Sequence, residues 1–195
     1  MKFSKLLLAV VGATVLLGAL VSSASAGRLE NSSQTNKAIW TTMTFAGGFG
    51  NVECEVVLEG SFHTRTITKS EGSLIGYITA GNVNRCVRGG ATINRESLPW
   101  HRRYRSFSGT LPNITGVSET VIGASWTIRE PTFGITCTVR AEASSTIGTY
   151  TLSAGTVTRA DVSGTSRCGS FEGTLSGSTT NIEDRNRARL TIRLI

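Results

Sequence analysis

The residues best suited to chemistry crowd into one stretch, Leu98 to Gly116, which reads LPWHRRYRSFSGTLPNITG. Trp100, His101, Arg102, Arg103, Tyr104 and Arg105 set two aromatic rings and an imidazole among three guanidinium groups. An aromatic plane beside a guanidinium is how a carbohydrate or a polyanion is held, because the ring stacks while the fork-shaped cation pairs oxygens two at a time. A second basic series lies near the end of the chain, at Arg185, Arg187, Arg189 and Arg193. It alternates with Ala188, Leu190, Ile192 and Leu194, so period-two spacing predicts an arginine ladder on one strand face. Such a ladder would bind an anionic envelope polymer or glycan, or pair across strands with carboxylates such as Glu53, Glu55 and Glu59. Nucleic acid is not expected as a partner.

Catalysis has fewer parts to work with. His63 and His101 are the two histidines, Asp161 and Asp184 the two aspartates, and no G-x-S-x-G elbow occurs. Eleven glutamates leave a glycan-acting hydrolase with paired carboxylates as the alternative to a binding protein. However, Glu53, Glu55 and Glu59 share the outward parity of a strand whose other face is Val52, Cys54, Val56 and Leu58. Neither metal nor cofactor is expected. No two cysteines lie within 30 residues of each other, and no Cys-x-x-Cys or His-x-x-x-His spacing occurs.

The elements that must position these residues are strands. Beyond the first 26 residues, short apolar–polar alternations recur between Gly, Ser, Thr and Asn clusters, and nothing shows helical periodicity. About ten strands are expected, in a β-sandwich or a closed antiparallel barrel. With a proline beside it and neither face cleanly apolar, the Trp100–Phe107 run reads as an edge strand.

Residues 1–26 carry Lys2 and Lys5, an apolar run from Leu6 to Val21, and small residues ending at Ala26. They read as a cleaved signal peptide, with no later segment able to cross a membrane as a helix. Export would leave one all-β domain over 27–195, with 18 basic residues, 16 of them arginine, against 13 acidic ones. Cys54, Cys86, Cys137 and Cys168 then read as two disulfides. A faint repeat relates 38–115 to 124–195: Trp40 to Trp126 is 86 residues, Cys54 to Cys137 is 83 and Cys86 to Cys168 is 82. Four cysteines allow three connectivities, and equivalent halves favour Cys54–Cys86 with Cys137–Cys168. Asn31 and Asn113 head glycosylation-type triplets.

On LPWH…GTLPNITG, AGGFGNVECEV…LEGSFH and the terminal RLTIRLI, the chain resembles a group of uncharacterised secreted bacterial all-β proteins. The resemblance implies bacterial export and an extracellular setting. It lends no activity or ligand.

Overall fold

A computed structural model describes residues 28–48, 50–132, 134–141, 146–168 and 171–195. The expected signal peptide lies outside the described residues. Fifteen strands appear among them: β1 (Arg28–Asn31), β2 (Thr35–Gly47), β3 (Gly50–Phe62), β4 (Thr66–Thr68), β5 (Leu74–Val87), β6 (Gly90–Ile93), β7 (Trp100–Thr110) and β8 (Asn113–Ile122) come first. Then follow β9 (Ser125–Glu130), β10 (Ile135–Ala141), β11 (Thr146–Ser153), β12 (Thr156–Cys168), β13 (Phe171–Thr179), β14 (Ile182–Asp184) and β15 (Ile192–Leu194). A short 3-10 turn at Arg95–Ser97 joins β6 to β7. No helix among the described residues is long and apolar enough to cross a membrane.

The alternation read from sequence sets the core. On β3, Val52, Cys54, Val56 and Leu58 are buried, while Glu53, Glu55 and Glu59 lie on the opposite face. On β2 the same rule is interrupted by a bulge between Trp40 and Met43, which turns Met43 and Phe45 inward where strict alternation would have placed Thr42 and Thr44.

The antiparallel ladder closes on itself. β2 pairs β3, β3 pairs β5, β5 pairs β7, and β7 pairs β8. β8 pairs β11, β11 pairs β12, β12 pairs β13, and β13 returns to β2. Of the two all-β architectures expected, the pairings thus build a closed barrel of eight strands. Beyond the reach of β11, β12 pairs β10 through Arg140 and Arg167, and β9 and β6 extend that flap. Trp126 of β9 seats the flap by packing against Phe45 and Trp100, each with ring centroids 5.2 Å apart. Tilted and edge-on ring pairs of this kind add about 0.5–1.5 kcal/mol each beyond their burial. A separate sheet, β15–β1–β4, buries Leu29, Ile67 and Ile192.

Cys54 and Cys86 face each other in register on β3 and β5 and form a disulfide. Cys137 is also disulfide-bonded, while the side chain of Cys168, its expected partner, lies outside the described residues. The two sequence halves place their cysteines alike, on the second and third strands of the runs β2–β3–β5 and β9–β10–β12.

Candidate binding face

β7 is an interior strand of the barrel, flanked by β5 and β8, and not the edge strand its mixed sequence suggests. Its two faces have separate lives. Trp100, Arg102 and Tyr104 point inward and are buried. They are therefore corrected from candidate ligand contacts to interior groups. His101, Arg103 and Arg105 point outward and are exposed.

An arginine can be buried here because the neighbouring strands answer it. Arg102 Nε donates to both Glu119 carboxylate oxygens at 3.0 Å, and Nη2 donates to Glu119 Oε2 at 2.8 Å and to the Tyr150 hydroxyl at 2.7 Å. Its guanidinium carbon lies 4.2 Å from the centre of the Phe62 ring. Glu119 fits because Gly148 faces it across β11: a Cβ there would sit 3.1 Å from Glu119 Cγ. Burial works against the charge on Arg102, but the Glu119 carboxylate outweighs it and holds the guanidinium above its ordinary pKa. Burial also raises the Tyr150 phenol far above its usual range, with Glu119 adding to the effect. The ion pair of Arg102 and Glu119 is buried, and Tyr150 caps it from a half-buried position.

Sequence reasoning missed Glu119 and Tyr150, although the signal for the first was present. Glu119 occupies the apolar parity of β8 between Val117 and Val121, as Arg102 does between Trp100 and Tyr104 on β7. Two opposite charges at inward positions of adjoining strands mark a buried pair.

The C-terminal ladder is also corrected. Asp184 Oδ1 accepts from the backbone N–H groups of Asn186 and Ala188, folding that segment into a turn. Arg187 takes the left-handed conformation there, at φ 62°. Arg185 and Arg187 border a cleft with Lys37 and Glu59, and Arg189 bridges to Glu183 through the backbone. Arg193 stands apart on β15, opposite Glu30. The four arginines are exposed but share no strand face. The glutamate row pairs elsewhere: Glu53 with Arg88 at 4.0 Å, Glu55 with Arg85 at 3.3 Å, and Glu59 with Lys37 at 3.5 Å. A hydrogen bond from Asn84, then one from Arg85, holds the Glu55 carboxyl below its ordinary pKa. Among the described residues, no three His, Cys, Asp or Glu side chains gather as a metal site. Of the two triplet asparagines, Asn31 is buried and Asn113 is exposed at the β7–β8 hairpin.

The outer side of β7, β8 and β11 has an unbalanced charge. Glu119, the one carboxylate on these strands, is turned inward. Outside stand His101, Arg103 and Arg105, beside a belt of hydroxyls from Ser118, Thr120 and Thr149. Arg103 uses Nη1 to donate to the Gly72 carbonyl at 3.4 Å, in the turn that also carries Glu71. On the next strand, β12, Asp161 is already paired with Arg159 at 2.7 Å.

A deeper cleft of about 580 Å³ lies between Asn94, Ser125, Thr127 and Arg140. Four of its polar lining residues, Asn94, Ser97, Ser125 and Thr127, are held in one hydrogen-bond network. Trp100 Nε1 donates to Ser97 Oγ at 2.8 Å, Asn94 Nδ2 donates to Ser125 Oγ at 2.8 Å, and Thr127 Oγ1 donates to Asn94 Oδ1 at 2.8 Å. This network pins the β6–β7 connection onto β9. Comparison of the chain with protein-family models, curated proteins and solved structures finds no match. The functional reading therefore rests on this geometry.

Proposed function

We propose that the protein is a non-enzymatic, exported β-barrel that holds an anionic glycan of the cell envelope or extracellular space on the outer face of β7, β8 and β11. The observation that carries this reading is the charge separation across β7 and β8. The barrel takes the only carboxylate that these three strands carry, Glu119, inside to neutralise Arg102, and leaves Arg103 and Arg105 outside. Guanidinium forks match the paired oxygens of sulfate, phosphate and carboxylate, and the adjoining hydroxyls suit sugar hydroxyls.

The test is retention on immobilised dextran sulfate across a salt gradient. Two arginine contacts predict a log-affinity against log-salt slope of about −1.5 to −2, by analogy with counterion release from other polyanions. The double reversal Arg103→Glu/Arg105→Glu should abolish retention and leave stability within about 0.5 kcal/mol, because these side chains are exposed. Arg187→Glu/Arg189→Glu changes the net charge equally and should retain most of the binding. An equal loss from the two reversals would remove this face from the reading, and tighter retention on duplex DNA of matched charge would replace the glycan with nucleic acid.

A further inference from the structure

We infer that three rings beside the arginines, His63, Tyr77 and His101, form a subsite that stacks a sugar ring of the same polymer. The inference rests on the glycan reading above and deepens it. Tyr77 of β5 and His101 of β7 are register partners, and their ring centroids lie 5.3 Å apart at 68°. On the other side of Tyr77, the His63 ring stands 4.8 Å away at 82°. The row therefore crosses three adjoining chain segments on the outer surface and ends on the strand that carries Arg103, at the same outward parity.

Three features distinguish this row from incidental surface rings. First, the edge-to-face contacts on both sides of Tyr77 fix its orientation before any ligand arrives, so little freedom is left to lose on binding. Second, both histidines are exposed and Tyr77 is only half-buried, so the row is accessible. Third, no hydrogen bond within the described residues uses the Tyr77 hydroxyl or either imidazole, although the same segment is otherwise well connected. His63, for example, donates its backbone N–H to the Ile75 carbonyl and accepts from Gln34 Nε2 at its own. Ring faces for the apolar side of a pyranose, with unused donors and acceptors for its hydroxyls, suit a sugar. A bare polyphosphate chain can use the donors but has no apolar ring face to lay against the rings.

The experiment compares dextran sulfate, which offers sugar rings and anions, with inorganic polyphosphate, which offers anions alone. The readout is the ratio of the two affinities. Tyr77→Ser/His101→Ser should lower the ratio of dextran sulfate to polyphosphate affinity about tenfold, the equivalent of one or two ring contacts. Tyr77→Leu, which keeps the apolar volume on the strand, should lower the ratio in the same direction and guards against a folding defect. An unchanged ratio in both variants would overturn the subsite and leave the arginine face standing. Wild-type protein that bound neither polymer would overturn the glycan reading itself, and the subsite with it.

Discussion

Removing Arg102 alone should damage the protein far more than removing Arg102 and Glu119 together. The two side chains are 1% and 5% exposed, and are joined by two donating nitrogens and three short hydrogen bonds. Arg102→Met strands the Glu119 carboxylate in an apolar interior, with the Tyr150 hydroxyl at 3.5 Å as its remaining donor. Breaking a buried pair in this way costs about 3–5 kcal/mol, whereas replacing both members with apolar groups of similar volume is neutral or even stabilising. At about 2–4 °C per kcal/mol for a chain of this size, the single variant should melt about 6–20 °C lower. Arg102→Met/Glu119→Leu should recover most of that loss. Met can keep the contact that the guanidinium makes with the Phe62 ring at 4.2 Å. Urea unfolding followed by tryptophan fluorescence is a suitable assay, since Trp40, Trp100 and Trp126 are all buried. The double-mutant cycle should give a coupling of at least about 3 kcal/mol. Additive losses, or a single variant within about 1 kcal/mol of wild type, would refute the claim that the barrel buries this pair as a unit.

Two further outcomes follow from the same interior. Burial raises the Tyr104 and Tyr150 phenols above the ordinary value of 10.0, so the folded state keeps protons that the unfolded state releases. Stability should be undiminished below about pH 10 and should fall as pH rises beyond it, with phenolate absorbance from these residues appearing at higher pH than that of a free phenol. Tyr150→Phe should flatten that alkaline decline, which urea titrations at successive pH values would measure. Replacing Cys54 and Cys86 together by alanine opens a link of 32 residues and should cost about 3.5–4 kcal/mol, read as a lower urea midpoint.

Much of the architecture was legible in the alternation of side chains, and the reasons for the exceptions are specific. The inward set of β3 was read correctly because nothing interrupts the pleat over Val52–Leu58. The β2 bulge was not visible, because Thr41 and Thr42 carry no mark of an inserted residue. The arginine ladder failed at Asp184: Asp-Arg-Asn-Arg holds two residues that favour turns, and the carboxylate captured the backbone N–H groups a strand would have needed. β7 was misread as an edge because a strand with arginine on both faces has no apolar side. The missing information was a partner, Glu119, some seventeen residues further on at the matching inward parity. Closure of the ring was illegible for a different reason. It depends on β13 meeting β2, a pairing between segments at opposite ends of the chain that no local pattern announces.

That distant pairing governs the order in which the protein can be made. Residues 43–47 find their ladder partners only at 173–177. A chain emerging from its N-terminus must therefore carry the β13-facing edge of β2 unpaired until nearly all the rest has been delivered. Contacts of such sequence separation form late, because the loop between them must be closed before they return any energy. Until then β2 and β12 each present an open row of N–H and C=O groups, the template along which strands from separate molecules join. Once the ring closes, those two rows satisfy each other through β13. The form most exposed to aggregation is thus the chain a single strand, β13, short of closing its ring.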